Sequence, residues 1–287
     1  MTLEILLVQL KVAEVKIKVE DRINHIQALI AASLQNQQER RPNLILLPEA
    51  AFCSYCQPNA SHALAVGREQ EPAVKAWGRK IAIEFGCYIA FGYIGVEPVR
   101  NTPKNALAVF APDGTLIRDQ KKRFLYVSDE VWTSEREASF QAVELSMLPT
   151  SPRVLFAICN DINAFDFSAE QMDSFPLASA VIQQRASLLC LSAAWCSAHP
   201  ESPEAAHDEE IFVDDQVNYW LERLEPVLGK KVYFCSADLV GREQIPGKSS
   251  RIKYCGSTCC LDLATQRLLK SPLNTSHEGC LYVSIPL

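Results

Sequence analysis

The sequence lacks any apolar run that approaches the ~20 positions a membrane-spanning helix needs. It also lacks a basic face. Lys and Arg number 28 against 34 Asp and Glu, and the densest basic cluster, Lys121 to Arg123, is flanked by Asp119 and Asp129. Nucleic acid and anionic membrane surfaces are therefore not expected as partners. Low-complexity tracts, short-period repeats and a convincing linker are absent too, so one domain over residues 1–287 is expected. Histidine is scarce, with five in the chain, and none of them ends an apolar run. His25 falls mid-helix, and His62, His199, His207 and His277 lie in polar stretches. A cysteine–histidine arrangement would have to be assembled from distant parts of the chain. The opening residues "MTLEILLVQL" carry an early Glu4 and a short apolar run, and read as a strand rather than a secretory signal. The expectation is a reducing, cytoplasmic setting in which the eleven cysteines remain thiols.

Four segments share one design: an apolar run that stops at small or polar residues. They are "LEILLVQL", "NLILLPEA", "RVLFAICND" and "SLLCLSAAW". Continuous short runs of this kind suit strands buried on both faces. The spacing of Ile23, Ile26, Ile30 and Leu34 predicts a helix over 20–39, and that of Val74, Trp77, Ile81 and Phe85 one over 70–85. Further helices are predicted over 168–184 and 208–226. "CYIAFGYIGV" and "NALAVFAPDGTLIRDQKK" read as antiparallel strands, with Asp113 and Gly114 supplying the positive φ of a tight turn. "KVYFCSAD", "IKYCGSTCCLDL" and "GCLYVSIPL" read as late strands, and 197–210 as a surface loop. The sum is layered α/β with a mixed sheet.

In open α/β sheets, functional groups gather beyond the carboxyl ends of strands. Three of the apolar runs deliver Glu49, Cys159 and Trp195 there, and the hairpin strand runs out at Lys121 and Lys122. A glutamate whose basicity is raised by burial can take a thiol proton. An ammonium stabilises a thiolate and holds the oxyanion of a tetrahedral intermediate. Glu, Lys and Cys together suffice for acyl transfer from an amide or nitrile carbon.

These residues, in this order, resemble the nitrilase-like carbon–nitrogen hydrolases, and the likeness runs nearly end to end. "LILLPEAAF" is similar to the family's general-base segment and maps the base to Glu49. "QKKRFLYVSDEVW" is similar to its lysine segment, where a leucine three positions on, Leu125, selects Lys122. "FAICNDI" is similar to its nucleophile strand, with Cys159 as the nucleophile. The resemblance implies a four-layer α-β-β-α sandwich with two mixed sheets, a glutamate eight residues past the lysine (Glu130) in a supporting role, and no metal or organic cofactor. It further implies substrate contacts from Asn160, Asp161, Trp195 and Tyr55, with Asp161 read either as partner of a substrate ammonium or as a brace for the turn after Cys159. The chain departs from the family at Ser54 before Tyr55, at Asn160 and at Asn163, which bears on substrate rather than chemistry.

Within the family, "KRFLYVSDEVW", "ICNDIN" and "SAAW" look most like the fungal protein N-terminal amidase branch, which implies deamidation of N-terminal Asn or Gln of proteins or peptides. The alternatives are a small-molecule amidase acting on an aliphatic amide, an ω-amide or an N-carbamoyl compound, and a catalytically silent binding protein on the same fold. Family members commonly pair across a two-fold axis, and the N-terminal amidase branch does not require it, so dimer and monomer both stay open. Cys53-x-x-Cys56 and the run Cys255, Cys259, Cys260 offer a redox or zinc reading, but they provide no clean second ligand pair, and packing is the stronger reading.

Overall fold

In the computed structural model, which describes residues 2–35, 41–164, 168, 172–196 and 209–286, the apolar runs become strands of two stacked mixed sheets. The first holds β1 (Thr2–Lys11), β2 (Leu44–Leu46), β3 (Tyr88–Glu97), β4 (Thr102–Phe110), β5 (Leu116–Lys121), β10 (Leu239–Gln244), β11 (Arg251–Cys255) and β14 (Gly279–Pro286), where the numbers follow chain order. Its order is β11-β10-β1-β2-β3-β4-β5, with β14 also paired to β1. The second runs β13-β12-β9-β8-β7-β6, from β6 (Ala142–Glu144), β7 (Arg153–Ile158), β8 (Leu188–Ser192), β9 (Tyr233–Ala237), β12 (Cys259–Asp262) and β13 (Arg267–Leu268).

Both faces of the central strands are buried, which is why the sequence shows apolar runs instead of alternation. Leu3, Ile5 and Leu7 of β1 face the second sheet and join Phe156, Leu189 and Phe234 in one core cluster. Leu6, Val8 and Leu10 face the other way, into a cluster with α1 (Val19–Gln35) and α2 (Ala60–Phe85) through Ile26, Ile30, Val74, Trp77 and Ile81. On the far side, α3 (Pro176–Gln183) and α4 (Glu209–Arg223) lay Leu177, Val181, Val217 and Trp220 against the second sheet. The result is the four-layer α-β-β-α sandwich.

Several boundaries differ from the sequence reading for identifiable reasons. Helix α2 begins ten residues before the expected start, at Ala60, because the Asn59 side chain accepts the His62 N–H at 2.9 Å and caps it. His62, read as loop, sits in this first turn, and the helix continues through Pro72. Within the expected 168–184 stretch, helix α3 is described from Pro176, a proline in its first turn, while residues 165–167 and 169–171 lie outside the described set. Helix α4 stops at Arg223, and a short 3₁₀ turn follows at Pro226. At the β4–β5 hairpin only Gly114 has positive φ, 82°, and Asp113 instead accepts the Thr115 N–H.

The largest correction concerns "IKYCGSTCCLDL", read as one strand. Gly256 and Ser257 adopt φ of 64° and 57°, and there the chain leaves β11 in one sheet and starts β12 in the other. Of the 197–210 loop, residues 197–208 lie outside the described set. All eleven cysteines are free thiols, and among the described residues no group of three or more His, Cys, Asp or Glu is arranged to hold a metal ion.

Strands β2, β7, β8 and β9 run parallel within their sheets, and their carboxyl ends meet at one edge. There the sheets bond to each other: Glu49 N–H donates to Ala193 O at 3.3 Å, Gln120 Nε2 to Phe156 O at 2.8 Å, and Ser192 Oγ to Leu47 O. Gly92 of β3 lets the Glu49 loop lie on the sheet, since a Cβ there would sit 2.5 Å from Glu49 Cα. Gly92→Ala therefore displaces that loop backbone. We expect a stability loss of about 1–3 kcal/mol, read by urea unfolding.

Candidate active site

Three strand ends and one hairpin supply the side chains. After β2 the chain passes Leu47 and Pro48 and turns at Ala50, whose φ is 46°, so Glu49 is held at the bend and is fully buried. Its Oε1 accepts from Asn105 Nδ2 at 2.6 Å and Lys122 Nζ at 2.8 Å, and its Oε2 accepts the Ala194 N–H at 3.1 Å. Lys122 follows directly on β5. Because neighbouring residues of a strand face opposite ways, Lys121 points outward to Glu97 and Glu135 at 3.4 and 3.3 Å while Lys122 turns inward. The inward ammonium is fully buried between two carboxylates, Glu49 at 2.8 Å and Asp129 at 2.6 Å.

Cys159 leaves β7 with φ 43° and opens the 3₁₀ turn Cys159–Ile162. A non-glycine residue in this region is strained by roughly 1–3 kcal/mol and persists only when its surroundings fix it. Asp161 does that. Its Oδ1 accepts the N–H groups of Arg123 and Phe124, both at 2.8 Å, and its Oδ2 that of Ile158 at 2.9 Å. This carboxylate thus ties the Cys159 turn to the lysine segment. Asn160 adds a second tie: its Nδ2 donates to Leu125 O at 3.2 Å, and its Oδ1 accepts from Asn163, which in turn accepts the Tyr219 hydroxyl.

The Ala194 N–H that Glu49 accepts also acts on the Cys159 thiol, favouring its ionised form. Burial, then the Glu49 charge, pushes this thiol well above the ordinary range, while Lys122 and the Ala194 N–H pull against them. The resting group is a neutral thiol. Burial also raises Glu49 above the usual carboxylate range, against the opposing effect of Lys122. For Lys122 burial disfavours the charge, but Asp129 and Glu49 outweigh it and hold the ammonium protonated well above the usual lysine range. The arrangement therefore offers a buried base of raised basicity, a permanent cation and a neutral thiol that needs the base to lose its proton.

The structure brings Glu49, Lys122 and Cys159 together and separates Glu130 from them. Glu130 is 54% exposed and pairs with Arg136 at 2.8 Å. The acid that meets the lysine is its neighbour Asp129, set by a turn in which Asp129 N–H donates to Tyr126 O and Asp129 Oδ2 accepts the Tyr126 N–H. Asp161 and Asn160, read as substrate contacts, have their side chains committed to hydrogen bonds around the Cys159 turn, and both are almost fully buried. Tyr55, also read as a substrate contact, is 1% exposed and lays its ring 5.8 Å from Lys122 Nζ. Trp195 is half-buried beside Tyr219 and Trp220, with its backbone N–H donating to Asp238 Oδ1. Sequence reading missed Asn105, which donates to Glu49 Oε1 and, at 3.0 Å, to Asp129 Oδ1. The one available signal was a polar residue opening the otherwise apolar run "NALAVF".

Two substitutions separate the neighbouring acids. Asp129→Asn leaves Lys122 one charge short in a dry site and is expected to lower kcat about 100-fold or more. Glu130→Gln is expected to change it less than about two-fold. A steady-state ammonia-release assay on both variants reads the difference, and the reverse ranking would restore the sequence expectation.

The family profile described as "Carbon-nitrogen hydrolase" matches residues 6–168. The chain is 24% identical over 281 residues to a protein N-terminal amidase of Schizosaccharomyces pombe, covering 91% of this chain and 93% of that one. A crystal structure of an N-terminal amidase superposes with a TM-score of 0.80 at 15% identity, covering 99% and 97% of the two chains. A structure of N-terminal amidase with an Asn-Glu peptide gives 0.79 at 14% identity, covering 99% and 98%.

Proposed function

The chain belongs to the carbon–nitrogen hydrolase family, and from that premise we propose that it is a thiol-dependent amidohydrolase that deamidates N-terminal Asn or Gln of peptides and proteins. The observation that carries the chemistry is the closed, buried cluster of Glu49, Lys122 and Asp129 beside the Cys159 thiol. The substrate class is supported by the relative in Schizosaccharomyces pombe, which the chain matches over nearly its full length.

Glu49 Oε1 is held by two donors and Oε2 by one, so Oε2 has the freer lone pair and receives the Cys159 proton. The thiolate attacks the side-chain amide carbon of the substrate. Two of the three Lys122 hydrogens are engaged by Glu49 and Asp129, and the third, with the Asn160 N–H at the start of the 3₁₀ turn, holds the oxyanion. Such a donor typically contributes about 2.7–4 kcal/mol. As the tetrahedral intermediate collapses, Glu49 returns its proton to the departing nitrogen and ammonia leaves. A water deprotonated by Glu49 then attacks the thioester, and the thiol is released with the new carboxylic acid.

The base must be ionised to act. Because burial raises Glu49, the acid limb of kcat/KM is expected above the free-glutamate value of about 4.3. Activity is lost as pH falls through that limb. The decisive experiment offers Asn- and Gln-initiated peptides, their N-acetylated forms, and free small amides, and measures ammonia. Release from the free-amine peptides alone, abolished by Cys159→Ala, is expected. Release from small amides alone would make the enzyme a small-molecule amidase.

A further inference from the structure

Besides its two carboxylates Lys122 meets an aromatic ring, and that ring is held from the last third of the chain. The Tyr55 ring lies 5.8 Å from the ammonium, within cation–π range. Its hydroxyl accepts the Ser128 Oγ–H at 3.3 Å, one residue before Asp129. Tyr55 thus touches both the cation and the turn that grips it.

Tyr55 is itself bracketed. Glu243 of β10 accepts the Cys56 N–H at 3.0 Å and the Ser54 hydroxyl on the same oxygen, Oε1, so the residues on either side of Tyr55 are tied to one carboxylate. Its other oxygen accepts the Tyr254 hydroxyl at 2.5 Å. Tyr254, on the neighbouring strand β11, meets Tyr55 edge to face with centroids 6.2 Å apart. Glu243 is 5% exposed, and its three donors are neutral. A buried carboxylate is costly unless its lone pairs are filled. What it provides here is capacity: one group accepts from a backbone N–H, a serine and a tyrosine at once, which a neutral amide cannot do with its single acceptor oxygen.

We propose that Glu243, with Tyr254, is a positioning residue for Lys122, acting through Tyr55. The carboxylate fixes the 54–56 loop, the loop fixes the ring, and the ring confines the ammonium to the site it shares with Glu49, Asp129 and Cys159. This inference rests on the reading of Lys122 and Cys159 as reacting groups, and it adds a support that neither the strand-end rule nor the lysine segment contains. Small displacements of catalytic groups are costly, up to about 100-fold for 1 Å, so a remote clamp of this kind has kinetic consequences.

The test uses the full chain with E243Q, Y254F, Y55L and the E243Q/Y55L double variant. Folding is checked by circular dichroism, and two readouts are taken: ammonia release, and the rate at which iodoacetamide alkylates Cys159 at fixed pH. E243Q is expected to lower kcat about ten-fold to 100-fold, with KM within about two-fold, and to slow Cys159 alkylation several-fold relative to the other thiols. Y254F should shift both readouts in the same direction by less, and it carries the test if E243Q fails to fold. In the Y55L background E243Q should add little, because both act through one ring. Folded E243Q with unchanged kcat and unchanged alkylation would overturn the proposal, as would a full additional loss in the double variant. Failure of the amidohydrolase reading is seen separately, as undiminished ammonia release by Cys159→Ala, and the alkylation readout does not depend on turnover.

Discussion

One buried ammonium between two buried carboxylates governs the rest of the site. Lys122 could not be placed in a dry core alone, and neither could Glu49 or Asp129. Removing one member of such a cluster typically costs about 3–5 kcal/mol, because it leaves the others uncompensated. The same coupling sets the chemistry. It keeps the lysine cationic, while burial, working against that coupling, leaves the glutamate more basic than a surface carboxylate and keeps the neighbouring thiol neutral. Asn105 completes the cluster by using its two amide hydrogens on the two acids, which holds them apart at a fixed spacing.

Around this cluster the fold stores strain where chemistry is expected. Ala50 and Cys159 both take positive φ, each just past the end of a parallel strand. Both bends are over-determined from outside. Gly92 gives its backbone to the Glu49 loop, accepting the Ala51 N–H and donating to Pro48 O, and Asp161 takes three N–H groups around the Cys159 turn. Inter-sheet hydrogen bonds at the same edge keep the two halves of the site in register. The sandwich therefore acts less as a container than as a jig, in which each sheet presents its share of the buried cluster to the other.

The eleven thiols illustrate how position decides chemistry. Cys190, Cys235 and Cys260 lie in aligned register across β8, β9 and β12, and the last two sulfurs are 3.2 Å apart. All three are fully buried, and they pack as small apolar groups. Cys159 lies instead just past the end of its strand, in a positive-φ turn beside Glu49 and Lys122.

The primary sequence by itself determined the two-faced burial of the central strands, the strand-end placement of Glu49 and Cys159, and the choice of Lys122 once the family pattern was applied. Those features are local: they follow from runs of apolar residues and from what ends them. Whether Asp129 or Glu130 meets the lysine, whether Asp161 braces or binds, and that "IKYCGSTCCLDL" divides between two sheets were decided only in three dimensions. Adjacent acids on a short turn point in different directions, and the sign of φ at Ser257 and the far end of each hydrogen bond are not written in spacing. The contacts of Glu243 with the 54–56 loop span 187 or more residues of chain, and no local rule reaches that far.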